Sequence, residues 1–303
     1  GQETANLKSK PQIFSTFINM TLKPSPIVYI NTGVRVSKYN RYEKLLINPT
    51  LGVKYNPISD LALKGSIGKY SQFLYTVNRE EELLRIVDFW QPIPDGKRPQ
   101  EASHLILGAE YWIDVGNTIS LETYYKSYSS IYDLNPAPDY LNIEETFALS
   151  GTAKAFGIEF LYRFNKNNLT GWVSYAYSNI RRRVDLNSDL SLDENKEIYP
   201  AKYDKPHSFN SLMSYQINKK YSIGLSATLG SGQTYTPVIG KVHQAGIQAY
   251  GSLENPYSNF GNIYGVRNGA RYPNYFRVDL SLGRKSRIFG LDSEFKFQII
   301  NVT

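Results

Sequence analysis

An all-β fold, an antiparallel transmembrane β-barrel wall of about twelve long strands, is predicted here by three observations. Segments of about 10 to 13 residues alternate apolar with polar side chains, well beyond the roughly 5 to 6 residues usual for strands of soluble proteins. Their connections alternate too, between a few residues and long irregular stretches, which matches the short turns at one rim and the long loops at the other rim of an outer-membrane barrel. Finally, the mean hydropathy is −0.39 and no run of about 18 apolar residues exists, so no membrane helix is predicted. A two-faced strand explains the low mean, because hydropathy averages a lipid-facing side with a polar one.

The elements follow in order. QIFSTFINMTL turns through KPSP into IVYINTGVRVS, in which Val28, Ile30, Thr32, Val34 and Val36 share a face opposite Tyr29, Asn31, Gly33, Arg35 and Ser37. LINPTLGVKY turns through NPISD into LALKGSIGKYSQF. HLILGAEYWI turns through DVGN into TISLETYYKSY, where Ile119, Leu121, Thr123 and Tyr125 oppose Ser120, Glu122, Tyr124 and Lys126. AFGIEFLYRF turns through NKNN into LTGWVSYAYSN, and HSFNSLMSYQI through NKK into YSIGLSATLGSG. The last pair is FRVDLSLG, with Phe276, Val278, Leu280 and Leu282 against Arg277, Asp279, Ser281 and Gly283, joined through RKSRIFG to DSEFKFQII. The long connections, read as irregular, run from Asn78 to Gln100, Asp133 to Ser150, Arg183 to Lys202 and Pro237 to Pro273. A short helix before Trp90 is expected within the first of them. Tyr111, Phe164, Tyr215 and Tyr221 lie beside the short turns, where a membrane interface favours aromatic rings.

Composition narrows the function classes. With no Cys among 303 residues, disulfides cannot hold the fold. The formal charge of +7 comes from bases scattered beside acids, as in NREEELLR, so no basic stripe and no nucleic-acid partner are expected. His104, His207 and His243 have no second His or Cys at ligand spacing, so no metal centre and no cofactor are expected. DLNSDLSLDENKE imitates a calcium loop through Asp185, Asn187 and Asp189, but Leu190 and Lys196 stand at its diagnostic Gly and Glu positions. Ser103 and Ser208 adjoin histidines in sequence, which points them to opposite faces of a strand, and no GxSxG elbow occurs. No catalytic residue is assigned, and the chain is read as not an enzyme.

Particular phrases carry a family likeness. YDKPHSFNSLMSYQIN, SGQTYTPVIG, YGVRNGARYPNYFRVDLSLG and FKFQIINVT, preceded by INTGVRVSKYN, INPTLGVKYNPISDLALKGSIGKYSQF, SHLILGAEYWIDVGNTISLETYYKSY and GTAKAFGIEFLYRFNKNNLTGWVSYAYS, resemble successive barrel strands of TonB-dependent outer-membrane receptors, in the same order. The resemblance implies a barrel of about 22 strands filled by an N-terminal plug. It makes residues 1–303 a partial barrel domain without the plug domain or the final strand, whose first and last strands should not pair with each other. It also implies a Gram-negative outer-membrane location, partners in membrane lipid, the plug and the energy-transducing TonB complex, and active uptake of a scarce nutrient: a siderophore, cofactor, oligosaccharide or peptide. A passive porin is the alternative, requiring a closed barrel with a charged constriction loop.

Within that reading, Arg35, Glu110, Glu122, Lys126, Glu159, Arg163, Arg277, Asp279, Glu294 and Lys296 should point into the lumen toward the plug. Ligand capture falls to loop aromatics, for which Trp90, Tyr132, Tyr140, Tyr250 and Tyr257 are the candidates.

Overall fold

The computed structural model describes residues 10–77, 89–134, 148–184, 198–243 and 260–303. Its strands are β1 (Ile13–Ser25), β2 (Val28–Tyr39), β3 (Leu46–Ile58), β4 (Leu61–Gln72), β5 (Leu74–Val77), β6 (Phe89–Pro92), β7 (Gln100–Asp114), β8 (Asn117–Leu134), β9 (Ala148–Lys166) and β10 (Leu169–Val184). They continue as β11 (Ile198–Pro200), β12 (His207–Gln216), β13 (Tyr221–Gly230), β14 (Thr234–Tyr235), β15 (Val238–His243), β16 (Phe260–Tyr264), β17 (Ala270–Arg271), β18 (Tyr275–Ile288) and β19 (Leu291–Ile299).

Twelve long strands form one antiparallel sheet in the order β1-β2-β3-β4-β7-β8-β9-β10-β12-β13-β18-β19, with β11 appended to β10. Every neighbour on this path is also the next long strand in sequence, so the wall is a simple meander. Among the described residues β1 and β19 do not pair with each other, and the sheet is open.

The turns at one end are tight: Pro26–Ile27, Ser59–Asp60, Val115–Gly116, Asn167–Asn168, Ile217–Lys220 and Phe289–Gly290. Phe289 and Gly290 have φ of 50° and 81°, the left-handed pair that matches a two-residue hairpin to the twist of its strands. At the opposite end the connections are long, except for Asn40–Leu45. They are less irregular than their sequences indicate. β5 pairs with β6, β14 with β17 and β15 with β16, small ladders built from residues that lack the long period-2 runs of the wall. Residues 78–88, most of the segment read as a helix, lie outside the described residues; Trp90 itself is in β6.

Cross-strand register lines up the apolar positions across the whole wall. Ile30, Val53, Gly65 and Leu107 follow one another through the pairings of β2, β3, β4 and β7. Further along, Met213, Leu225, Leu280 and Ile299 do the same from β12 to β19. Leu280 is 42% exposed and Phe297 64% exposed, large apolar side chains that water would not reward. A lipid-facing surface accounts for them, with the polar side chains on the opposite, inner face. Tyr111, Phe164, Tyr215 and Tyr221 all occupy apolar-face positions beside the tight turns.

Strands β8, β9 and β10 contain 18, 19 and 16 residues. A membrane crossing takes only about 9 to 11. Their ends on the long-loop side therefore project beyond the hydrocarbon layer and, with the loops, make a deck above it.

Candidate functional site

Two regions carry the candidate side chains: the polar face of the wall and the deck. On the wall, all of the charged residues singled out above sit on the face opposite the apolar rows, as the pairings Arg35↔Asn48, Glu110↔Ala62, Thr118↔Arg163, Lys126↔Ala155, Ser226↔Asp279 and Gly283↔Lys296 place them. Their electrostatic surroundings differ. Glu110 forms an ion pair with Lys64 of the neighbouring strand. Arg277 Nε donates to both carboxylate oxygens of Asp279 at 2.8 and 3.0 Å, and Asn301 N donates to Asp279 Oδ1 at 2.8 Å. Those charges are balanced inside the wall.

Glu122 and Glu159 are not. They are direct cross-strand partners, and among the described residues no ion pair joins either to a cation. Like charges facing each other across two strands destabilise the pairing unless a cation approaches. Lys126 instead lies over the ring of Tyr124 at 4.6 Å, and Arg35 over Phe17 at 5.7 Å. Glu294 lies opposite Lys285 and Arg163 opposite Trp172.

The polar face also carries apolar residues that alternation alone does not reveal. Phe17 is opposite Arg35, and Trp172 is opposite both Arg163 and Leu212. Leu212 is 49% exposed there, on the side that faces no lipid. Beside Phe17, a cavity of about 280 Å³ is bounded by Arg35, Asn48, Lys69, Tyr70 and Phe73. Such a surface combines hydrogen-bonding groups, both charge signs and small apolar seats.

In the deck, Tyr39, Tyr75, Ile93 and Tyr132 form a buried cluster. Tyr132 is 6% exposed; its hydroxyl donates to Arg98 O at 2.7 Å, and burial pushes its phenol up to about 12. Its ring packs at 5.6 Å from Tyr75 rather than standing free. Trp90 is 54% exposed. Tyr140, Tyr250 and Tyr257 lie outside the described residues, as does the acidic segment with Asp185, Asn187 and Asp189.

Asp204 is the centre of the second half of the deck, and the sequence reading missed it. It is fully buried; its carboxylate pairs with Arg271, lies 3.7 Å from Arg181 and accepts from Ile180 N at 2.9 Å. Around it Thr234 Oγ1 donates to Ala201 O at 2.8 Å, Asn268 Nδ2 donates to Pro200 O at 3.0 Å, and Arg267 covers the Tyr199 ring at 4.9 Å. The loop between β13 and β18 is thereby fastened to the loop between β10 and β12. The local signal was the placement of Asp204 two residues before Pro206 in YDKPHSFN, within a phrase already singled out.

His104 packs between Tyr70 and Tyr128, at 4.6 and 6.1 Å between ring centres. His207 shares a hydrogen bond with Tyr175 through Nδ1 at 2.8 Å. Among the described residues no three His, Cys, Asp or Glu side chains converge.

Comparison with known proteins agrees with this architecture. A family model described as "TonB dependent receptor-like, beta-barrel" matches residues 4–301. The solved structures similar to the chain include the ferric-catecholate import receptor Fiu of E. coli K12, with 14% identity and a TM-score of 0.59 over 96% of this chain and 40% of that one. They also include the FrpB iron transporter of Neisseria meningitidis, with 15% identity and a TM-score of 0.61 over 96% of this chain and 41% of that one. A mutant of the ferric enterobactin receptor PfeA of Pseudomonas aeruginosa aligns with 12% identity and a TM-score of 0.59, over 96% and 39%. At these identities the likeness establishes the fold. The chain spans about two fifths of the length of these proteins. Among curated proteins, no sequence matches this one.

Proposed function

The chain belongs to the TonB-dependent receptor β-barrel family, and from that premise we propose that it forms the wall and part of the outer deck of an energy-coupled outer-membrane uptake receptor. Its twelve strands make up rather more than half of a barrel of about 22, and the lumen is filled by a plug contributed by another part of the same receptor. Iron chelates are the first cargo to test, because the proteins compared above are named for iron and ferric-catecholate transport.

The observation that carries the reading is the unequal charge balance of the inner face. Glu110 and Asp279 are matched within the wall, whereas among the described residues Glu122 and Glu159 face each other without an ion-pairing cation. A lumen open to water tolerates such a pair by hydration alone. A filled lumen needs an Arg or Lys of the plug there, because a charge removed from water must be matched. A passive porin is the less favoured reading because the family model matched over residues 4–301 is that of a receptor barrel.

The test is uptake of an iron-loaded siderophore by cells that express the receptor, with TonB intact or deleted. Uptake that stops without TonB is expected; uptake that persists at the same rate means passive diffusion and overturns the proposal. The plug contact is checked by exchanging Glu122 and Glu159 together for Gln. Expected is a leak of small solutes through an otherwise correctly inserted barrel, read by antibiotic sensitivity.

A further inference from the structure

On the apolar face, near the tight-turn end, a groove of about 380 Å³ runs across β10, β12, β13, β18 and β19. Two rows of outward side chains border it. One row contains Met213, Leu225 and Leu280; the other contains Tyr215, Ile223 and Leu282. The groove reaches the backbone at Gly224 and Ser281, and its size falls within the roughly 300 to 1,000 Å³ of ligand pockets. Its lining is almost wholly aliphatic and aromatic.

One row closer to the turn, the outward position opposite Tyr221 is Arg284, with its guanidinium 5.9 Å from the Tyr221 ring centre. The adjoining turn carries Lys219 and Lys220, and Lys285 N bonds to Lys220 O at 2.8 Å, which ties this basic corner together. Arg287 is engaged with Asp292 at 3.8 Å, but among the described residues no acid pairs with Lys219, Lys220 or Arg284. The other tight turns are not basic in this way: Ser59–Asp60, Val115–Gly116 and Phe289–Gly290 contain no Lys or Arg.

We infer that this groove and its basic corner bind one anionic glycerophospholipid of the leaflet on the tight-turn side. The phosphate sits at Arg284 and the Lys219–Lys220 turn, and an acyl chain lies between the two apolar rows. Charge complementarity selects the occupant. Bulk lipid is as apolar as the groove, so chain burial alone brings no preference. Each basic side chain near an anionic headgroup contributes about fivefold. Arg284 is held at the interface by Tyr221, and its long stem lets the charge reach headgroup level from an apolar-face position.

The inference rests on the membrane-wall reading, and its test separates the two. The detergent-purified receptor is offered equal amounts of phosphatidylglycerol and phosphatidylcholine with matched chains, and retained lipid is read by native mass spectrometry. Retention of phosphatidylglycerol at least about fivefold above phosphatidylcholine is expected; equal retention overturns the inference. Arg284→Gln should reduce that preference about fivefold, and Arg284→Lys should restore it. Ile223→Trp, which fills the groove without altering charge, should lower retention of both lipids; an unchanged level overturns the role of the groove. Glycerol phosphate should not displace the lipid at equal concentration, and displacement would mark an anion site instead. Heat-dependent gel mobility reports whether each barrel is folded. Should Arg284→Gln fail to fold, Lys219→Gln with Lys220→Gln in the exposed turn must weaken the preference, or the inference falls. A wild-type receptor that does not partition into membranes would refute the wall reading and not this site alone.

Discussion

The wall and the deck are built from the same continuous strands, yet they are held together in opposite ways. In the wall, β18 exposes Leu280 and Leu282 on one side and places Asp279 on the other, and backbone pairing joins it to β13 with no core of described residues beneath. In the deck, strands of the same sheet meet loops that bury Tyr39, Ile93 and Val184 fully and enclose Asp204. The difference follows from the solvent. Lipid rewards outward apolar side chains and requires every backbone group to be paired, whereas water drives apolar groups together into a core. A strand that leaves the bilayer therefore changes its stabilising interactions without changing its hydrogen-bond ladder.

The comparison is tested most severely at Asp204. Asp204→Ala removes two charge-assisted hydrogen bonds at once, from Arg271 and from Ile180 N, for which about 3 to 5 kcal/mol of local destabilisation is expected. Limited proteolysis should then cut between β13 and β18, while heat-dependent gel mobility of the barrel stays as in the wild type. Loss of both would mean that deck and wall fold as one unit. Next is Leu280→Arg, expected to impair insertion by about 2 to 4 kcal/mol if the residue lies near the midplane, measured as folding yield into lipid vesicles. Arg at the adjacent Ser281, on the polar face, should insert nearly normally. Equal failure of the two variants would dissolve the distinction between faces.

A smaller effect is expected for Tyr132→Phe, about 1 kcal/mol from the lost hydrogen bond to Arg98 O. Burial raises the Tyr132 phenol from its ordinary 10.0 to about 12, so the folded deck holds this proton more tightly than the unfolded chain does. Its contribution is present below about 10 and is lost as pH rises through about 12. Difference absorbance of tyrosinate between wild type and Tyr132→Phe measures that titration directly. The smallest change is expected for Asp279→Asn, which keeps an acceptor for Arg277 and Asn301; assembly yield should be indistinguishable from wild type.

Much of the wall was legible beforehand because its signal is local. The alternation of Phe276, Val278, Leu280 and Leu282 with Arg277, Asp279, Ser281 and Gly283 needs no knowledge of the neighbouring strand, and the observed register puts these two sets on opposite faces. Phe17, Trp172 and Leu212 escaped notice for the complementary reason: an apolar residue on the polar face looks like noise until its cross-strand partners are known. The deck was least legible. Arg271 and Asp204 are separated by 67 positions, and neither stands in a periodic segment. Tyr132 looked like a free loop aromatic, and only the approach of Tyr75 and Arg98 places it in a core.

By itself, then, the amino-acid order determined the strands, the tight turns and the two faces of the wall, since a period of two and a turn signal are properties of consecutive residues. Which charges are matched, as in Lys64 with Glu110, and which remain opposed, as in Glu122 with Glu159, was decided only by the register between strands. The fastening of one loop to another through Asp204 was decided only by tertiary structure, because burial and pairing depend on groups brought together from distant parts of the chain.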